Sequence, residues 1–359
     1  MKKILSIGIW LLLIPFQFLL IYFFKNNTAW VEHYYTHIFY FYSSQALRYT
    51  LGAIPFSVGD LLYIIAVIYL IIKLFKIYKS RKSFIIKLRE ALLFKLKAVL
   101  LFFFFFNLAW GFNNYRTPLH EQLGIATHYT QQDLLAITDQ LVEKANNLQL
   151  RITADSITPV TITYSTAKIL QDAEKGIHQL NDDLNWGMFK NPSIKKSLWS
   201  LPLTYMGFSG YLNPFTNEAQ VNYKIPKLGM IVTAAHETAH QMGIAKESDA
   251  NLLGYLGALK QEDIHYQYAA TIYALRYCLR TLERDAYADL QIITAKTTVG
   301  VLYNLNENPA FWSQYKGISS MFFKMFYGNF LKATNQKEGI HSYNRFVDLL
   351  INYHKTVPL

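Results

Sequence analysis

The sequence predicts a helix-dominated α+β domain that follows an N-terminal region of three transmembrane helices. Three observations carry this expectation: long apolar stretches confined to residues 1–112, a change to amphipathic periodicity after Asn113–Pro118, and a basic excess placed beside the apolar runs. The chain has 359 residues, 52% hydrophobic and 16% aromatic, which is rich for a water-soluble protein and too polar for a bundle of spans alone. Its one cysteine, Cys278, permits no intrachain disulfide, so burial must hold the fold, with help from any bound metal.

A net charge of +11 would suit nucleic acid if it were spread over the chain. It is not. Residues 1–112 hold 13 of the 35 Lys and Arg but only three of the 24 acids (Glu32, Asp60, Glu90), which leaves 22 basic and 21 acidic residues afterwards. Nine of the 13 fall between Lys73 and Lys97, where the positive-inside rule places a cytoplasmic loop. The charge therefore reports topology and argues against a nucleic-acid partner.

The spans are expected at about 4–24, 57–77 and 91–112. Ile4 to Phe24 is free of charge, preceded by Lys2 and Lys3, and long enough to cross about 30 Å of hydrocarbon. No small-x-small cleavage pattern follows it, so it is expected to stay as an anchor. Trp30 to Ile54 is aromatic but carries Glu32, His33, His37 and Arg48, which belong at an interface rather than in lipid. Three spans with the N-terminus inside then place residues 113–359 outside the cytoplasm. A fourth crossing by the interfacial stretch would reverse that.

Beyond the boundary, Thr130 can cap a helix to about Leu148 with Leu134, Ile137, Leu141, Val142 and Ala145 on one face. Ser165 or Thr166 can begin another, ending near Leu184. Ile157 to Tyr164 alternates as a half-buried strand does, and Leu198 to Asn222 has the Gly, Pro and aromatic content of strand and turn. Further helices are expected at about Leu228–Met242, at Glu247–Lys260, from there to about Leu290, and at Ser342–Tyr353.

The chemistry lies in His236-Glu237-Thr238-Ala239-His240. Two histidines four apart share a helix face about 6 Å apart, so both imidazoles can reach one tetrahedral zinc ion (Zn2+). Glu237 then stands beside the metal, where a carboxylate can take a proton from zinc-bound water and pass it to a leaving amine. Gly243 supplies a helix stop, and a third ligand must come from the returning segment, with Glu247, Asp249 and Asn251 as candidates. Asp249 points about 200° around a helix from Glu247, so the two cannot both serve. Glu247 is preferred because Asn251, one turn on, can steady a ligand from behind. Lys246 stands where metalloproteases of the His-Glu-x-x-His-x-x-Gly-x-x-His type place a third histidine, which disfavours that type. Tyr255, His265 and Tyr211 are candidates for stabilising an oxyanion, against packing or a surface position, the commoner use of such residues in a chain with 26 tyrosines. Cys278 has no Cys-His motif around it and is expected in the core, while Glu218 has no clear role. Lys224, Lys227 and Lys246 interrupt the segment too often for an intramembrane protease.

The zinc segment followed by Glu247-Ser-Asp-Ala-Asn251-Leu-Leu resembles the glutamate zincins, whose third ligand stands in a Glu-x-x-Ala-(Asp or Asn) helix. A closer resemblance is to a three-span bacterial membrane family, typical of Bacteroidota, called domain of unknown function 3810. It rests on Pro55-Phe-Ser-Val-Gly-Asp60-Leu-Leu, Gly210-Tyr-Leu-Asn-Pro-Phe-Thr-Asn-Glu-Ala219, the zinc segment and Gly339-Ile-His-Ser-Tyr343. The resemblance implies a zincin-like fold. The expected function is a membrane-anchored zinc metallopeptidase hydrolysing a peptide or protein substrate, with the lipid bilayer as its other partner. The alternative is a non-catalytic zincin-like binding or structural module of the cell envelope; retention of Glu237 favours the enzyme. A transporter would need more spans.

Overall fold

A computed structural model describes residues 2–184, 186–187, 189–334 and 343–359. The N-terminal region comprises α1 (Lys2–Lys25), the single turn α2 (Thr28–Trp30), a π-helix over Val31–Tyr40, α3 (Phe41–Gly52), α4 (Val58–Lys79) and α5 (Phe84–Ala109). A 3-10 turn at Gly111–Tyr115 leads to α6 (Leu119–Gln122), α7 (Gln131–Thr153) and α8 (Thr166–Asp183). There follow β1 (Ile194–Lys196), α9 (Ser200–Met206), β2 (Gly210–Asn213), β3 (Glu218–Val221), α10 (Lys227–Gln241) and α11 (Glu247–Leu259). The chain ends with α12 (Ile264–Asp285), α13 (Tyr287–Ala295), α14 (Val299–Ser313), α15 (Ile318–Ala333) and α16 (Tyr343–His354). Helices dominate an α+β architecture whose small sheet has the order β1-β3-β2, with β1 parallel and β2 antiparallel to β3.

Two of the three expected spans have the length and composition to cross a membrane. These are α4 and α5, and only 11% of the apolar window of each is buried within the molecule. A core helix of that composition would be mostly buried, so their surface asks for an apolar surrounding. α1 is a helix of 24 residues, but its described apolar part, Leu12–Lys25, is shorter than a span. The expected third run, 91–112, begins earlier and ends at Ala109; Phe112 leaves the helix and stacks on Phe24, with ring centroids 3.8 Å apart.

The stretch Trp30 to Ile54 is more than an interfacial belt. Val31, Tyr35 and Tyr40 form a small apolar cluster with Phe24 and Phe112, and Arg48 is buried against the C-terminal domain. Arg48 turns inward because the Lys190 and Gln241 carbonyls and the Asn217 side chain accept its hydrogen bonds, whereas His33 and His37 stay exposed. At the next joint, Glu218 of β3 accepts hydrogen bonds from the Val58 and Gly59 amides, the open N-terminus of α4, and pairs with Lys195 at 2.6 Å. Asp60, one residue further on, accepts from the Ser197 hydroxyl, the Leu198 amide and the Tyr211 hydroxyl. Glu218 thus has a structural role that its sequence context did not disclose.

α7 starts at a capping box between Thr130 and Asp133 and buries Leu134, Ile137, Leu141, Val142 and Ala145, as its periodicity predicts. α8 starts at an Ser165 cap. The strand expected at Ile157 to Tyr164 does not form: Val160 and Ile162 are buried in alternation, but the Val160 amide and carbonyl bond to the Asn304 side chain in place of a neighbouring strand. Leu198 to Asn222 contains the hairpin β2–β3 and, unforeseen, α9. The helix expected to run to Leu290 breaks at Ala286, and α14 and α15 were not anticipated. Of Gly339-Ile-His-Ser-Tyr343 and the helix start at Ser342, residues 339–342 lie outside the described residues.

α10 occupies the centre, against α11, α8, α12 and β3. α11 reaches it through Gly254, where an added Cβ would lie 2.9 Å from the His236 amide nitrogen and 3.0 Å from its Cα. On the other side, Gly257 of α11 packs against Ile177 of α8. Glycine at these two positions lets α11 come close enough to place its first turn beside the histidines. Gly254→Ala should cost about 1–3 kcal/mol, because backbone rather than a flexible side chain obstructs the methyl group. By contrast, Gly229→Ala on α10 has open contact, nearest atom 3.5 Å away, and should be neutral or stabilising by up to about 1 kcal/mol. Thermal unfolding of the two variants checks the pair.

Candidate metal centre

α10 places His236 and His240 with ring centroids 4.6 Å apart. The chain then turns at Gly243, whose φ of +78° lies in the left-handed region, and α11 starts four residues later at Glu247. That turn returns Glu247 to the histidines: its Oε2 lies 3.4 Å from His236 Nε2 and its Oε1 3.7 Å from His240 Nε2. One ligand atom from each of the three lies within 4.8 Å of the others. The seven-residue gap between His240 and Glu247 is bridged because the helix ends at once and reverses.

The end of α10 is held from outside. The Tyr40 hydroxyl donates toward the His240 and Gln241 carbonyls, Arg48 Nη1 donates to the Gln241 carbonyl at 3.2 Å, and Arg116 Nη1 donates to the Met242 carbonyl at 2.9 Å. Two guanidinium groups at a helix C-terminus satisfy carbonyls that have no intrahelical partner and complement the helix dipole. Burial lowers the Arg48 pKa to about 10, which leaves it charged at neutral pH. No sequence pattern announces this cap, because its donors lie about 200 and 125 residues away along the chain.

Each ligand is also positioned from behind. His240 Nδ1 donates to the Ile244 carbonyl at 2.6 Å, which leaves the Nε2 lone pair facing the cluster. Asn251 hydrogen-bonds His236 and accepts from the Tyr273 hydroxyl at 2.7 Å, the supporting role expected of it. The Tyr327 hydroxyl of α15 donates to Glu247 Oε1 at 2.7 Å. Sequence reasoning missed Tyr327, one of 26 tyrosines in a helix 80 residues away with no motif around it.

Of the other expected residues, Asp249 points elsewhere: its Oδ2 accepts from the Leu119 amide and its Oδ1 from Ser248. Tyr255 is a correction, since its hydroxyl is taken up by His354 Nε2 at 2.9 Å. So is His265, which bonds Asp263 and Tyr164 at the start of α12, and so is Tyr211, which is tied to Asp60. In each, the bonded polar atom, the Tyr255 hydroxyl, His265 Nδ1 or the Tyr211 hydroxyl, serves packing. Cys278 is buried in the core.

Glu237 has its Oε1 close to Gly210 on edge strand β2, where a Cβ would come within 2.7 Å. Among the described residues its Oε2 is buried with no hydrogen-bond partner. Such an atom carries an unmet demand for a donor, which a water held at the cluster would meet. Burial raises the Glu237 pKa to about 8, against the opposing charge of His236. Burial and His236 together lower His240 to about 4. Burial would raise Glu247, but the His236 hydrogen bond and the charges of both histidines hold it at about 2. His236, despite burial, keeps its proton above the ordinary range because of Glu247.

The donors fit zinc. Two imidazole nitrogens and a carboxylate oxygen, each steadied by a second group, are a set zinc accepts, and His236 and Glu247, 13% and 21% exposed, are more accessible than His240 at 8%. A family model described as "Protein of unknown function (DUF3810)" matches residues 35–351, and the chain belongs to that family. No curated protein and no solved structure matches the chain.

Two outcomes follow for metal affinity. Tyr327→Phe should weaken zinc binding about 10- to 100-fold while leaving the fold intact, measured by competition with a chelator. Because His236 must lose a proton for metal to enter, affinity should fall by about tenfold per pH unit below its pKa, and metal uptake should release protons into a weakly buffered solution.

Proposed function

We propose that the protein is a membrane-anchored zinc metallopeptidase with a zincin-like site, in which His236, His240 and Glu247 hold the metal and Glu237 is the general base. The observations that carry this reading are three convergent ligand groups, His236, His240 and Glu247, and, next in sequence to His236, the Glu237 Oε2, buried and without a hydrogen-bond partner among the described residues. Zinc held there supplies a Lewis acid that polarises a substrate carbonyl and acidifies water. Beside that cation the ionised form of Glu237 is favoured, and it can then take a proton from water and release it to a leaving amine. Gly210 keeps the backbone of edge strand β2 close to that carboxylate, so an extended peptide lying along β2 would carry its carbonyl past Glu237.

The membrane reading rests on α4 and α5 and on charge. The domain joins the N-terminus of α4 and the C-terminus of α5, while the basic cluster from Lys73 to Lys97 lies toward their far ends. By the positive-inside rule that far side is cytoplasmic and the domain extracytoplasmic. With α1 as an additional span the count is three, in the inner membrane of a bacterium.

Glu237→Gln should retain zinc and lose about 10²- to 10⁴-fold in peptide hydrolysis, the usual worth of a general base. A peptide library incubated with the zinc-loaded full-length protein checks this. Cleavage undiminished in the variant, or none by the wild type, would sink the proposal.

A further inference from the structure

α15 carries an apolar stripe at helical spacing: Ile318, Met321, Phe322, Met325 and Phe326, each 55% to 89% exposed. Residues at i, i+3, i+4, i+7 and i+8 form one face, and exposing five large apolar side chains on it to water is costly. The reverse face is committed. Tyr327 sits about half a turn from the centre of the stripe and donates to Glu247, Phe208 packs on its ring, and Phe330 packs on Phe106 with centroids 5.7 Å apart.

Those contacts fix where the helix lies. Phe106 belongs to the last turn of α5, so the C-terminal end of α15 sits where that span meets the domain. At the other end, Ser319 donates to the Tyr205 carbonyl of α9. α9 begins two residues after Leu198, whose amide is bound by Asp60 in the first turn of α4. Both ends of α15 are thus tied to the level at which the two spans enter the domain, and Leu198, Leu201 and Tyr205 expose further apolar surface there.

We propose that α15 is an interfacial helix whose apolar stripe lies in the surface of the same bilayer that α4 and α5 cross, with the metal ligand Glu247 held directly beneath it. This rests on the membrane reading above. With 16 residues α15 is about 24 Å long, too short to span but suited to lie in the headgroup region, and Lys324 and Lys332 can reach anionic lipid. The arrangement places the candidate active site against the membrane surface, so the substrate class it favours is a polypeptide attached to or emerging from that membrane. Tyr327 links lipid contact on one face of α15 to a ligand on the other.

The test uses full-length protein in vesicles of phosphatidylethanolamine and phosphatidylglycerol. Cys278 is fully buried, so a thiol-reactive fluorophore labels only an introduced cysteine. Phe322→Cys reports the stripe, Met325→Cys repeats it one turn on, and Ile68→Cys in α4 reports the span. With nitroxide-labelled lipids, both stripe labels should lose about half or more of their emission to a shallow nitroxide and resist aqueous iodide, as expected for a helix about 5–10 Å deep. If the Ile68 label is quenched by lipid but the stripe labels are quenched only by iodide, α15 lies in water and the inference fails while the membrane reading stands. If no label is quenched by lipid, both fall.

Discussion

The termination of α10 is the constraint on which the rest of the structure depends. His236 and His240 gain a third ligand only because the helix stops one residue after His240, reverses through the left-handed Gly243, and delivers Glu247 within 3.4 Å of His236. A stop so close to the site exposes the last carbonyls of α10 in a buried place, where leaving them unpaired would cost about 1–3 kcal/mol each. Tyr40, Arg48 and Arg116 meet that demand. The residues that make the candidate site geometrically sound therefore come from the segments on either side of the spans.

The same dependence runs the other way. α4 begins on the C-terminal domain, since Glu218 receives its first amides and Asp60 is anchored by Ser197, Leu198 and Tyr211. Glu218 and Lys195 are both buried, and such a pair is tolerable because further bonds satisfy it: Lys195 also donates to the Leu51 and Phe56 carbonyls, and Thr216 donates to Glu218. Gly59 permits the approach, since a Cβ there would meet Asn213 at 2.5 Å. The apolar helices and the domain are joined by a buried polar network rather than by a flexible linker.

Legibility in the sequence followed how local each signal was. The amphipathic helices α7, α8, α10 and α11 were readable because their periodicity and caps lie within the segment, and so was the stop at Gly243. Helical geometry showed only that Glu247 and Asp249 cannot serve together; the preference for Glu247 rested on Asn251 one turn on, and the structure brings Glu247 to the histidines. What could not be read came from distant pairing: the Asn304 side chain that replaces a strand partner for Val160, the arginines that cap α10, and Tyr327 on Glu247. Tyr255 and His265 suit catalysis by residue type alone, and the packing favoured over that role is what His354 and Asp263 give them. The short sheet was partly hidden because three- and four-residue strands leave little alternation to detect.

The central claim is that one metal ion is held by His236, His240 and Glu247. It is tested most directly by the zinc content of the purified full-length protein beside His240→Ala, Glu247→Ala and Asp249→Asn. The account predicts one zinc per chain in the wild type and in Asp249→Asn, and none in the other two. Zinc absent from the wild type, or retained without Glu247 and lost without Asp249, would contradict it.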